Sequence, residues 1–296
     1  MICSPLCFAE HKKGARSMSG RYFLSGVTLF AAITLAHPGP AQALSSLAAQ
    51  GGEVATSKDR LTSLPPATAG LLRDSTAAYQ KMHTYQHTAE YVQKGLQGGN
   101  QILVFTLALE RPNRFIYRAD DADATAAASD GKTFINYKND TTGKTYTRTA
   151  APTTYKQIDI VNDVTFTPIG TYVIALMLQG DALADPDVRA FIQDAGEPKR
   201  VVEEALRYDT LTGKFGADRN TMTLFFDAQT HLLHKAVINA NAEQNGAQVP
   251  VKITEIIENV KIDKPIPPAV FQYTPPKNAH WIVRNSGQPL RRLVRN

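Results

Sequence analysis

The stretch ILVFTLALERPNRFIY, Ile102 to Tyr117, decides the fold. Leu103, Phe105, Leu107 and Leu109 fall on one face of an extended chain, with Thr106, Ala108 and Glu110 among those on the other. That period of two marks a half-buried strand. Arg111-Pro112-Asn113 interrupts it, and Phe115 and Tyr117 resume it, so one strand turns back on the next.

Working outward, Gly95 to Gln101 supplies the preceding turn. Asp130-Gly131 breaks the chain before Thr133 to Tyr137, and Asn139 to Gly143 turns it into Thr145 to Arg148. Upstream, Ala67 to Met82 places Leu71, Leu72, Ser75, Tyr79 and Met82 near a 3.6 period, an amphipathic helix with Thr68 as its candidate N-cap. The period changes to two from Tyr85. The middle of the chain predicts three short helices, Tyr155 to Val164, Pro168 to Gln179 and Asp185 to Ala195. The second is apolar nearly all round, bounded by Pro168 and Gly180, and is a candidate lid. Strand periodicity returns in Val201 to Asp209, Thr221 to Asp227, Leu232 to Asn241 and Val249 to Ile262. One helix, about five strands, a helical insertion and about four more strands predict an α+β domain: an incomplete antiparallel barrel covered by helices.

The 296 residues are 43% apolar, 20% charged and 8% aromatic, which excludes a collagen, a disordered tail and a polytopic membrane protein. The first 43 residues read as an export signal. Arg21 precedes an apolar run from Tyr22 to Ala36, and Ala41-Gln42-Ala43 is a cleavage site, giving an exported periplasmic product cut after Ala43. Met18 is an alternative start to Met1, which would make the first residues an extension. Residues 44–66 are a flexible lead-in, 67–281 the folded domain and 282–296 a basic tail. Cys3 and Cys7 both precede the cleavage point, so disulfide, thiolate-metal and cysteine-nucleophile chemistry are excluded from the mature chain. Removing Lys12, Lys13, Arg16, Arg21 and Glu10 takes 32 basic and 27 acidic side chains to 28 and 26. Four of those 28 are Arg284, Arg291, Arg292 and Arg295, so the body has no basic excess for nucleic acid. The tail is either a solvated terminus or a contact for anionic lipid or a protein partner.

Catalytic signals are weak. His231 and His234 fall on opposite faces of a predicted strand, and there is no H-E-x-x-H, G-x-S-x-G, Walker loop or G-x-G-x-x-G. The acid pairs Asp120-Asp121 and Glu203-Glu204 point apart on strands or are solvated in loops. The expectation is no enzyme, no metal and no cofactor. A metal-assisted hydrolase using His231 or His234 is the remote rival.

Three patches carry a family resemblance: Arg111-Pro112-Asn113-Arg114-Phe115, then Ser129-Asp130-Gly131-Lys132-Thr133 followed by Tyr137, then Phe271-Gln272-Tyr273-Thr274-Pro275-Pro276-Lys277. In order and spacing the sequence resembles the LolA superfamily of lipoprotein-localisation carriers, over roughly Ala67 to Trp281. The resemblance implies a half-barrel whose apolar interior holds acyl chains, with a lipid or acylated protein as ligand, a membrane-associated partner and a monomeric state. It also implies a basic latch holding the lid shut, and Gln93-Lys94 falls near that place, which makes Lys94 the candidate. Each motif residue also has a structural reading: Pro112 limits a strand edge, Asp130-Gly131 makes a turn, and Pro275-Pro276 ends a strand. Candidate cavity-lining residues are Phe105, Leu107, Leu109, Phe115, Tyr117, Leu224 and Phe226 from strands and Tyr172, Leu176 and Met177 from the lid. The alternative is a sensor or interaction module whose barrel is filled by its own side chains.

Overall fold

The computed structural model describes residues 57–95, 99–121, 124–140, 143–160, 168–216 and 218–282. The expected signal segment, its cleavage point and the arginine tail lie outside them. Strands β1 (Thr84–Lys94), β2 (Gln101–Glu110), β3 (Arg114–Ala119), β4 (Ala126–Asp130), β5 (Thr133–Asp140) and β6 (Gly143–Ala150) form a first meander. A second contains β7 (Lys199–Glu203), β8 (Leu206–Phe215), β9 (Asn220–Asp227), β10 (Leu233–Gln244) and β11 (Ala247–Ile262), and β12 is the short His280–Trp281. Helices α1 (Ser57–Thr62) and α2 (Pro66–Lys81) precede the sheet, and α3 (Ile169–Gln179) and α4 (Pro186–Ala195) lie between the meanders. No helix among the described residues is long and apolar enough to cross a membrane.

All twelve strands join in one open sheet, in the order β12-β6-β5-β4-β3-β2-β1-β11-β10-β9-β8-β7. Every neighbouring pair is antiparallel except β12 on β6. The meanders are joined where β1 pairs with β11, from Tyr85 opposite Ile262 to Lys94 opposite Lys252. A register shift between Gln86 and Thr88 interrupts this pair, and Asn259 on the partner strand takes φ 52° there. Such a bulge adds one residue to one strand, increases its twist and flips its parity. Ile257 before the bulge and Ile262 after it therefore both reach the core. The α+β incomplete barrel covered by helices is the architecture observed.

One face of the sheet carries the main core. Phe105, Leu107 and Leu109 project from it as their alternation predicts, and α2 lays Leu72, Ser75 and Tyr79 onto the same side. Thr68 does not cap α2. The helix starts two residues earlier, at Pro66 with Pro65 as N-cap, and the Thr68 hydroxyl donates instead to the Gly196 carbonyl beyond α4. Asp185 caps α4, accepting from the N–H groups of Asp187 and Val188 at 2.8 and 2.9 Å.

The opposite face is covered on one half by the chain after β11. Ile266 and Phe271 pack onto Ala108, Ile116 and Ala128, and the two alanines leave room for them. The ring of Tyr273 lies 6.1 Å from that of Tyr137, and β12 ends this strap on the edge strand β6.

Several expectations are corrected. Val201 to Asp209 is a hairpin rather than one strand, because Glu204 and Ala205 both adopt positive φ, 49° and 68°. That turn usually advertises itself by Asn-Gly, and here it does not. Tyr155 opens only a 3-10 turn, Tyr155–Gln157, and residues 161–167 lie outside the description. Residues 57–62 of the expected flexible lead-in are helical. Pro275-Pro276 sits within the strap rather than at a strand's end.

Candidate functional site

Helix α3 has the sequence IGTYVIALMLQ, with no charged residue, and eight of its eleven residues are buried. Pro168 precedes it without a side-chain cap, and Gly180 ends it at φ 94°, its N–H donating to the Leu176 and Met177 carbonyls. The helix packs against α2 and the inner face of β10 and β11. Leu176 and Met177 share one buried cluster with Phe105, Leu107, Leu109, Phe115, Tyr117, Leu224 and Phe226. Within it Phe105 stacks on Tyr117 at 6.0 Å, and Phe115 meets Phe134 and Tyr155 at 5.7 and 5.6 Å. Tyr172 stands at the rim of that cluster, its hydroxyl donating to Asp185 at 2.8 Å. The ten residues proposed from sequence are thus brought together, packed against one another.

The N-terminus of α3 is held by a carboxylate from the sheet. Glu255 of β11 accepts from the Gly170 N–H at 2.6 Å, the Thr171 N–H at 2.7 Å and the Thr171 hydroxyl at 2.5 Å. These are two of the donors that a helix start leaves unpaired, and the helix dipole favours a negative charge there. Gly170 is what admits the carboxylate: a Cβ at that position would stand 2.9 Å from Glu255 Oε2. His87 of β1 continues the chain, its Nε2 3.1 Å from Thr171 Oγ1 and its Nδ1 2.9 Å from the Tyr85 hydroxyl. When Glu255 is ionised, Thr171 gives its only proton to it, and His87 then donates from Nε2 and accepts at Nδ1 from Tyr85.

Burial sets the charges of this chain. It pushes the Glu255 carboxyl up to about 7 against the opposing pull of the three hydrogen bonds. It pushes the His87 imidazole down to about 3, so His87 is neutral. Tyr91, also inward-facing, is raised to about 12 by burial and by the charge of Glu255. The order of groups, Tyr-His-Thr-Glu, places the hydroxyl between imidazole and carboxylate, whereas a nucleophilic triad needs the imidazole between. All four side chains are fully buried. The arrangement holds a helix end.

The other end of α3 is held by long polar side chains reaching its terminal carbonyls. Gln80 of α2 donates to Leu178 O at 2.5 Å and Met177 O at 3.3 Å. Arg111, in the turn between β2 and β3, donates from Nε to Met82 O at 2.9 Å and from Nη2 to Leu178 O at 3.0 Å. Desolvation lowers its pKa. Gln179 reaches out from the helix to Tyr155 O and Ile158 O. The Arg-Pro-Asn patch is therefore a hub: Pro112 follows a cis bond, and Asn113 ties the turn to Gly131 O and Pro152 O.

Lys94 does not hold the lid. It alternates with Gln93, and it is Gln93 that is buried while Lys94 is exposed on the outer face opposite Lys252. A one-residue difference in parity reverses the face of a strand residue. His231 lies in a turn at φ 58°, and His234 stacks on Tyr208 at 5.4 Å. Among the described residues no group of three or more His, Cys, Asp or Glu is placed to hold a metal ion.

Glu255, His87, Thr171, Gly170, Gln80 and Gln179 were not expected from sequence. The available signal was parity: His87 follows Tyr85 and precedes Ala89, and Glu255 sits between Ile253 and Ile257, each a polar residue in an inward-facing row.

No family model matches the chain, and no curated protein does. Similar solved structures include a LolA superfamily protein from Nitrosomonas europaea, at 11% identity and TM-score 0.29, covering 71% of this chain and 99% of that one. The MucA/MucB complex of Pseudomonas aeruginosa is similar at 14% identity and TM-score 0.35, covering 71% of this chain, which spans 62% of that one. A putative outer membrane lipoprotein-sorting protein domain from Vibrio parahaemolyticus is similar at 8% identity and TM-score 0.29, covering 68% and 94%.

Proposed function

We propose that the chain is an exported, non-enzymatic periplasmic protein that binds a long acyl chain, of a lipid or an acylated protein, in the space between the sheet and α3, as a carrier or sensor. The observation that carries the proposal is the way α3 is held. A helix without a charge is surrounded by apolar side chains, yet its start is fixed by one carboxylate, Glu255, and its end by two polar side chains from other elements, Gln80 and Arg111. Such a helix is a plug whose release depends on a few hydrogen bonds and whose removal exposes an apolar surface.

The size of that surface selects the ligand. Val173, Ile174, Leu176, Met177 and Leu178 are all essentially inaccessible, and exposing five such side chains costs roughly 10 kcal/mol. At about 0.8 kcal/mol per methylene, a chain of roughly twelve methylenes offsets it. A long acyl tail meets that requirement and a small polar metabolite does not. The leader pattern of residues 18–43 supports the periplasmic location, and the Arg291-Arg292 tail is the feature offered to a membrane-associated partner.

The second reading is an interaction module with a self-filled barrel, favoured by the close packing of the ten candidate residues. Purifying the mature protein from a periplasm and analysing its organic extract by native and denaturing mass spectrometry separates the two. A stoichiometric lipid or acylated peptide supports the carrier or sensor. Protein that is empty and takes up no added long-chain lipid sinks it in favour of the interaction module.

A further inference from the structure

The outer face of the sheet, away from α3, carries a row of donors that the acyl reading does not use. Register places Lys94 of β1 opposite Lys252 of β11, Lys252 opposite Asn239 of β10, Asn239 opposite Thr221 of β9, and Thr221 opposite Lys214 of β8. Residues paired across an antiparallel sheet project to the same side, so these five side chains form one line across five strands, about 19 Å long at ~4.8 Å per strand. Each can donate hydrogen bonds, and no carboxylate interrupts them. The row lines a hollow of about 440 Å³, whose rim adds Arg219, Asn241 and the carboxylate of Asp218.

The pairing within the row is unfavourable in the protein alone. Like charges directly opposite each other in an antiparallel pair are destabilising, and Lys94 and Lys252 are opposed in this way. Both are exposed, and neither has a hydrogen-bond or ion-pair partner among the described residues. Of the other cations on this face, Lys235 of β10 is paired with Glu203 and lies over the Phe225 ring, and Arg219 at the rim is paired with Asp194, while Arg118, Lys199 and Lys261 are exposed and unpaired among the described residues but are not set opposite another cation. Lys214 donates to Thr221 and so extends its ammonium along the row. The backbone also brings the two lysine strands close. Gly95, at φ 106°, passes so near Pro250 that a Cβ there would meet the Pro250 carbonyl oxygen at 2.2 Å.

From this juxtaposition we infer that the hollow is an anion site for a phosphate group, with Lys94 and Lys252 as its charge-assisted donors and Asn239, Thr221 and Lys214 as its flanking ones. A phosphate presents several acceptor oxygens to donors arriving from one side, and lysine binds it as a compact point charge. Bound between Lys94 and Lys252, it relieves their repulsion. The site is on the opposite face from α3 and stands whether or not the interior takes an acyl chain.

The test uses the full chain and two probes: inorganic phosphate by titration calorimetry, and flotation with vesicles of phosphatidylglycerol in phosphatidylcholine, against phosphatidylcholine alone. The double variant Lys94→Gln with Lys252→Gln is compared with Lys156→Gln with Lys277→Gln, which removes the same charge from exposed positions elsewhere. The expected result is binding of at least one probe, weakened tenfold or more in the row variant and held within twofold in the control, with a melting temperature in the row variant equal to or above that of the parent. Saturable phosphate binding identifies a free or small phosphate ligand, and binding of anionic vesicles alone identifies lipid headgroups at a membrane. Binding of neither probe, a row variant within twofold of the parent, or an equal loss in the control overturns the assignment.

Discussion

The clamp on α3 makes a pH prediction that two single substitutions pull apart. The Glu255 carboxyl is raised from its ordinary 4.5 to about 7. A carboxyl with a folded pKa above its unfolded value contributes fully below pH 4.5 and loses that contribution as pH rises through 7. The His87 imidazole is lowered from 6.5 to about 3. An imidazole with a folded pKa below its unfolded value contributes above pH 6.5 and loses it as pH falls through 3. At about 1.4 kcal/mol per tenfold change in proton affinity, each slope is worth about 3 kcal/mol between pH 4.5 and 6.5, with opposite sign. The two slopes therefore oppose each other in the parent across that window. Asp130 and Asp227 have lowered pKa values, from 3.8, so their contributions leave below it. Glu255→Gln keeps one acceptor oxygen, enough for one of the two backbone N–H groups that now bond to different carboxylate oxygens, removes the titrating carboxyl, and leaves the His87 slope alone, so stability rises by about 3 kcal/mol from pH 4.5 to 6.5. His87→Gln leaves the Glu255 slope, and stability falls by about the same amount. Urea unfolding followed by far-ultraviolet circular dichroism at half-unit pH steps measures both. If Glu255→Gln reproduces the parent profile, the carboxylate is not held, buried, at the start of α3.

Gly170→Ala puts a methyl against Glu255 Oε2 and 3.3 Å from Ala236 Cβ, so thermal unfolding should show a loss of about 1 to 3 kcal/mol. Arg111→Ala removes both of its carbonyl contacts, and the expected cost is about 2 to 3 kcal/mol, with faster hydrogen exchange at the amides bonded to the end of α3. Phe271→Ala should cost about 3 to 5 kcal/mol in urea unfolding, exposing the strap to exchange while the α3 amides stay protected. For the ligand, displacement of a fluorescent fatty acid should be efficient with chains of about sixteen carbons and undetectable with eight, since the six methylenes of an eight-carbon acid return only about 5 kcal/mol of burial.

Much of this was legible because strand parity is a short-range property. Phe105, Leu107 and Leu109 declared their face by alternation alone, and Gly180 declared the end of α3 because a left-handed C-cap requires a residue like it. The same parity carried the misreading of Lys94: an alignment one residue out exchanges the buried Gln93 for its exposed neighbour. His87 and Glu255 look like defects in apolar strands until the helix end they serve is beside them, and that helix is 84 or more residues away in sequence. The Glu204-Ala205 turn was hidden because neither residue type favours positive φ. The strap depends on Ala108 and Ala128 leaving space on the far face, which a local pattern does not encode.

The central claim is that an acyl chain enters between the sheet and α3. The most direct measurement is photo-crosslinking of a diazirine-bearing sixteen-carbon fatty acid to the purified protein, with the adducts mapped by peptide mass spectrometry. The account predicts saturable adducts on inward-facing residues such as Phe105, Leu107, Tyr117, Leu176 and Met177. Adducts confined to exposed positions such as Ile102 and Trp281, or none at saturating probe, would contradict it.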